Sequence, residues 1–265
     1  MHHILLAVDG SDWSEVAAIY ALDWARVTRE EVHALAVVPS EAMRTSTPAL
    51  GNLARTDWIF ETEHLGTRAV NDWFDNTEEA CDREGLCFQR LLDVGKPVER
   101  LLWAAMTARL CVLGAHGADS PDKLKGLGRI ATALARQALT PLLVTRRQYA
   151  PIKRVVLGWD GRSAAAHAAE VLVPLAKAHG WEIMVVAGAE ETAPLAAQCA
   201  HIASALVEEG VPAQSWVTPG KEPETVFRAV EKFRPDLVAV GARREGEGTW
   251  WDLVEQLTVP VLLYR

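Results

Sequence analysis

Apolar residues along this chain gather into short runs that alternate with helical patterns. Ile4 to Val8 is a run without polar interruption, Asp9-Gly10-Ser11 turns the chain, and Ala17, Tyr20, Ala21 and Trp24 then recur at i, i+3, i+4 and i+7, the spacing of one helix face. A second run, Val32 to Val38, completes the unit. Apolar runs without a polar alternation indicate parallel strands covered on both faces, and strands alternating with helices indicate an α/β fold.

The unit occurs twice. Val155 to Gly158 leads into Trp159-Asp160-Gly161-Arg162, a helix pattern follows with Ala168, Val171, Leu172 and Leu175 at the same spacing, and a run comes at Ile183 to Val186. Asp93-Val94-Gly95-Lys96-Pro97 precedes one later helix and Thr218-Pro219-Gly220-Lys221-Glu222 its counterpart. Leu110 to Leu113 and Leu237 to Val240 end at Gly114 and Gly241, and the halves close on Pro141-Leu142-Leu143-Val144 and Pro260-Val261-Leu262-Leu263. Signals recurring in one order mark a tandem duplication. The sequence therefore predicts two doubly wound five-stranded parallel sheets with helices on both faces. The first spans residues 1–148 and the second, shorter one 152–265, with a linker near Gln148 to Pro151. The offset between copies is 151 residues at Asp9 and Asp160 but 125 at Gly95 and Gly220, so the second copy lacks 26 residues. The extra segment of the first, Ser40 to about Glu84, contains a polar loop (Arg44 to Thr56) and a long helix; its length suits a lid over the sheet edge or a surface excursion.

The richest stretch is Leu113 to Arg129, LGAHGADSPDKLKGLGR. Glycines at 114, 117, 126 and 128 clear side chains from a place where backbone N–H groups can converge on an anion, and the helix beginning near Ile130 adds the positive end of its dipole. The spacing fits neither a Walker A loop nor a dinucleotide fingerprint, and taken alone it is more often the pattern of a long surface loop with turn glycines. Asp9 stands at the C-terminal end of a strand, the edge where open parallel sheets bind ligands, and reads also as the N-cap of a helix starting near Asp12. His116, between two glycines, reads as a phosphate donor or as a solvated loop histidine.

Composition narrows the picture. A net charge of −8 argues against nucleic acid as a partner, and no apolar segment is long enough to span a membrane, so the expectation is a soluble, cytoplasmic protein without membrane association. Cys81, Cys87, Cys111 and Cys199 form no C-x-x-C pair, which leaves neither a disulfide framework nor a zinc site, and Cys111 reads as a buried thiol. The ten tryptophans divide five and five; most read as packing, while Trp250 and Trp251, being adjacent, cannot share one helix face. No catalytic arrangement stands out.

Ala7-Val8-Asp9-Gly10-Ser11, Gly114-Ala115-His116-Gly117, Gly128 at the head of the last helix and Pro141-Leu142-Leu143-Val144 together resemble the universal stress protein family in its tandem form, across essentially the whole chain. The resemblance implies an adenine-nucleotide α-hydrolase-like fold, a regulatory role under stress, and in many members ATP binding through G-x-x-G-x(9)-G-Ser/Thr, with or without Mg²⁺. Carried over by position, Asp9 and Val37 would hold adenine and ribose, while Gly114, His116, Gly117, Gly128, Arg129 and Ile130 would surround the phosphates, with Ala7, Val8 and Leu113 also among the nucleotide-binding residues. It also implies pairing through the last strands, Pro141 to Arg146 against Pro260 to Arg265, and is compatible with a further homodimer. The chain departs from the family pattern in two ways: ten residues separate Gly117 from Gly128, and Arg129 replaces the hydroxyl residue. A guanidinium also binds phosphate, bidentately, or pairs with an acidic neighbour and closes the site; Lys123 and Lys125 add charge. In the second copy Trp159 and Arg162 replace Val8 and Ser11 and the loop is eight residues shorter, so that half is expected to be empty and structural, with Trp159 filling the adenine position. Three readings follow: a nucleotide-binding regulator with slow ATPase activity at most, a structural or interaction protein with both sites degenerate, and an ATP-cleaving transferase.

Overall fold

The computed structural model describes residues 3–39, 53–118, 126–190, 193–220, 222–241 and 254–264. In the first half, β1 (His3–Val8), α1 (Asp12–Thr28), β2 (Glu31–Pro39), α2 (Leu53–Glu84), β3 (Phe88–Gly95), α3 (Pro97–Ala105), β4 (Leu110–Gly114), α4 (Arg129–Gln137) and β5 (Leu142–Thr145) follow one another. The second half runs β6 (Arg154–Gly158), α5 (Ser163–His179), β7 (Glu182–Gly188), α6 (Pro194–Glu208), β8 (Ala213–Thr218), α7 (Glu222–Phe233), β9 (Leu237–Gly241) and β10 (Val261–Tyr264).

All ten strands lie in one sheet, ordered β3-β2-β1-β4-β5-β10-β9-β6-β7-β8. Neighbours are parallel within each half. At the seam β5 and β10 run antiparallel, with Val144 opposite Val261, Leu143 opposite Leu262 and Leu142 opposite Leu263. The expected pair of five-stranded parallel sheets is thus continuous, each half an α/β doubly wound layer.

Alternate strand residues feed opposite cores. Ile4, Leu6 and Val8 pack with α1, α5 and the α2 residues Trp73, Phe74 and Cys81. Leu5 packs on the other face with Leu101 and Ala105 of α3, Ala131, Leu134 and Ala135 of α4, and Val226 and Ala229 of α7. The C-terminal part of α2 is therefore core rather than lid, and Glu84 at its end takes the Arg26 guanidinium of α1. The remainder of the expected polar loop, residues 44–52, lies outside the described residues, as do Lys123, Lys125, Trp250 and Trp251. Cys111 is fully buried as expected.

Further contacts join the halves. The Tyr20 hydroxyl of α1 donates to the Ala150 carbonyl at 3.0 Å and accepts from the Ala150 N–H at 3.1 Å, holding the linker, and His179 of α5 stands 3.5 Å from Asp23 of α1. Among the described residues no helix is long and apolar enough to cross a membrane.

Candidate functional site

From β1 the chain winds outward through β2 and β3, then returns to β4 on the other side of β1. Connections leaving β1 and β4 in opposite directions open a crevice at the C-terminal ends of those strands, where parallel sheets place their ligands. Asp9, Gly114, His116 and Gly117 all follow these strand ends, and Gly128 and Arg129 return to them at the head of α4.

Asp9 organises the rim. Its Oδ1 accepts from the Ser11 N–H at 3.1 Å, the Ser11 hydroxyl at 2.5 Å and the Ser14 hydroxyl at 2.7 Å, and its own N–H donates to Ser14 Oγ at 3.0 Å. Oδ2 accepts from the Ala118 N–H at 2.9 Å, tying the β1 loop to the β4 loop across the crevice. The helix-capping position belongs to Ser11, so Asp9 is a loop organiser and not the N-cap of α1.

The glycines answer to close packing. A Cβ on Gly114 would come within 2.6 Å of Trp13 Cβ, and one on Gly117 would run into Asp9 Oδ2. At these two positions the protein itself occupies the space that the missing side chains leave. Trp13 explains much of this. It begins α1 yet packs with Leu5, Leu35 and Leu113 on the α3 and α4 side of the sheet, 2% exposed, its ring edge-on to His116 with centroids 5.0 Å apart. His116 is accordingly buried, 7% exposed, which overturns the solvated-loop reading. The signal for Trp13 was its position four residues beyond Asp9; an aromatic there can fold back over the strand ends.

The other candidates divide by face. Ala7, Val37, Leu113 and Ile130 share the α3 and α4 side with Trp13, whereas Val8 points to the α1 side and can meet a ligand in this crevice only through its backbone. The loop returns tightly: the Gly128 N–H donates to the Ala115 carbonyl at 2.7 Å. Gly128 caps α4 without a side-chain hydrogen bond, and the first helical bond is Thr132 N–H to Gly128 O. The N–H groups of Arg129, Ile130 and Ala131 therefore have no partner within the helix and are the orphan donors of its positive end. Arg129 is exposed and makes no ion pair among the described residues.

The corresponding edge of the second half is built differently. Asp160 Oδ1 accepts from the Arg162 N–H at 3.0 Å, its Oδ2 lies 3.8 Å from Arg162 Nε, and its side chain is 5% exposed. Trp159 is buried in the α5-side core, the face opposite to the one Trp13 covers in the first half. Its indole therefore does not fill the crevice on the α7 side.

The Universal stress protein family model matches residues 1–146. A universal stress protein from Archaeoglobus fulgidus DSM 4304 aligns over 99% of this chain and 98% of its own at 19% identity, with a TM-score of 0.77. One from Pseudomonas aeruginosa UCBPP-PA14 aligns over 100% and 93% at 15% identity, TM-score 0.65. A functionally unknown protein from Pseudomonas aeruginosa PAO1 aligns over 100% and 92% at 14% identity, TM-score 0.65. No curated protein matches. With its sheet order, its β1–β4 crevice and a family match over more than half its length, this chain belongs to the universal stress protein family.

Proposed function

We propose that the protein is a stress-response regulator that binds an adenine nucleotide, ATP with or without Mg²⁺, in the first half (residues 1–148), and that the second half (152–265) serves as its structural partner. The observation that carries this is the head of α4: three N–H groups with no partner within the helix, no capping side chain, an exposed Arg129, and a cap residue, Gly128, bonded to Ala115 just beyond β4. Such an end suits a polyphosphate. Gly128, Arg129 and Ile130 would hold the phosphates, with Asp9, Ala7 and Val37 toward ribose and base. Mg²⁺, where present, would be carried largely by the nucleotide's phosphates and water.

A second reading has its own observation. Trp13 and the Asp9 carboxylate stand where side chains at 114 and 117 would be, which favours a filled crevice and a protein that works through its surfaces. One experiment separates the two. Freshly purified protein is denatured, released nucleotide is identified by chromatography, and the native protein is titrated with Mg-ATP by calorimetry. About one adenine nucleotide per chain supports the regulator; none released and none taken up overturns it in favour of the second reading.

A further inference from the structure

The guanidinium of Arg146, just after β5, is 5% exposed and makes no ion pair among the described residues. Among the described residues it bonds to backbone carbonyls alone: Nε donates to Val259 O at 3.1 Å, Nη2 to Val254 O at 2.5 Å and Nη1 to Gly126 O at 3.4 Å. Two acceptors belong to the second half and the third to the glycine-rich loop of the first. Gly126 also donates its N–H to Glu255 O at 2.9 Å. This one loop residue is therefore bound to the second half twice, directly through its N–H and through Arg146 at its carbonyl, and it takes φ +85°, where glycine is favoured.

The loop has two anchors of different origin. At its entry the Ala118 N–H is held by Asp9 of the same half. At its exit Gly126 is held by the second half, two residues before the cap of α4. The position of the N–H groups at 129–131, which have no partner within the helix, thus depends on contacts from Val254, Glu255 and Val259. A lysine, with one ammonium on a flexible stem, cannot reproduce a planar fork serving three separate acceptors. Burial without a carboxylate pulls the guanidinium down to about 10, consistent with a cation kept for its donor geometry.

Building on the nucleotide reading, we propose that Arg146 is a positioning residue for the phosphate-binding end of α4, and that through it the second half regulates occupancy of the first-half site. Coupling of this kind is reciprocal: what the second half does to nucleotide affinity, nucleotide does to the second half.

The test is hydrogen exchange on the full chain with and without ATP, combined with titrations of wild type and Arg146→Lys. In wild type, ATP is expected to slow exchange in peptides covering 126–131 and also in those covering 254–259. In Arg146→Lys the second protection is lost and ATP affinity falls about tenfold, while affinity for adenosine, which has no phosphate to place, stays within about twofold. Wild-type protection confined to 126–131, protection at 254–259 that persists in the variant, or equal loss for ATP and adenosine overturns the proposal. If wild type binds no ATP, the nucleotide reading has failed. Arg146 is then judged without ligand, where Arg146→Lys should exchange the Gly126 segment about tenfold faster and equal rates overturn its role. Arg146→Gln, which keeps two donors, repeats each measurement should the lysine variant not fold.

Discussion

Asp9 and Asp160 occupy the same place in two copies of one fold, and their surroundings have parted. Asp9 is exposed at the crevice mouth, with two serine hydroxyls on one oxygen and a loop N–H from the far side of the crevice on the other. Asp160 is covered, with Arg162 beside it. Arg162 stands for Ser11, Ala165 for Ser14 and Trp159 for Val8, so the hydroxyls are gone while the strand end and its Asp-Gly turn remain. Backbone and side-chain chemistry are therefore separable: the same strand end carries a hydroxyl-lined carboxylate in one half and a covered one beside an arginine in the other. What the second half offers in exchange is a set of carbonyls, the one at 255 holding the Gly126 N–H of the first half's loop and those at 254 and 259 holding Arg146.

This contrast can be broken in order of effect. Trp13→Ala removes a buried indole from the first-half crevice and should cost about 3–5 kcal/mol of stability by urea unfolding; a loss under about 1 kcal/mol would show that the ring is not packed there. Asp9→Ala frees the Ala118 N–H and two hydroxyls from a charged acceptor near the surface. It should cost about 1–2 kcal/mol and at least about tenfold in ATP affinity. Asp160→Ala should leave ATP affinity and stoichiometry as in wild type, and any loss there would mean that the second edge also meets nucleotide.

Thiol chemistry gives a smaller effect. Burial pushes Cys111 up to about 12 and Cys81 and Cys199 up to about 11, whereas Cys87 is exposed. An aromatic disulfide reagent at about pH 8 should therefore label Cys87 alone in the native protein. Because the folded thiols keep protons that the unfolded chain gives up, their contribution is fully present below about pH 9 and is lost as pH rises toward 11–12; the melting temperature should fall across that window. The smallest effect is Arg129→Ser, which restores the family's hydroxyl. With Arg129 exposed and unpaired among the described residues, stability should move by less than about 0.5 kcal/mol, while ATP affinity by calorimetry should fall by a few-fold, because a hydroxyl replaces a charged phosphate donor.

The strands, the crossover helices and the duplication were legible because apolar runs, Asp-Gly turns and closing prolines are local and recur in order. The fold family followed from Asp9, Gly114, Gly117 and Gly128. What stayed hidden are contacts between distant positions. Nothing near Asp9 announces that Ala118, 109 residues on, will donate to it. Trp13 looked like one core tryptophan among ten because its packing side departs from that of its own helix. Arg146 follows a strand, where an arginine usually reaches solvent, and its partners are backbone carbonyls, which carry no residue signature. The glycine spacing suggests room for an anion; at 114 and 117 that room is taken by Trp13 and Asp9, a packing that no local pattern encodes.

The antiparallel seam of β5 and β10 has a consequence for how such a molecule changes over time. In a twofold pair of identical subunits every substitution appears on both sides at once, and the contact must suit itself. Here the two sides are separate stretches of one chain, so Leu142 and Leu263 can vary independently, and the pair cannot come apart on dilution because the linker keeps the partner at high effective concentration. Substitutions in one copy, such as Arg162 for Ser11 and Ala165 for Ser14, therefore need no counterpart in the other.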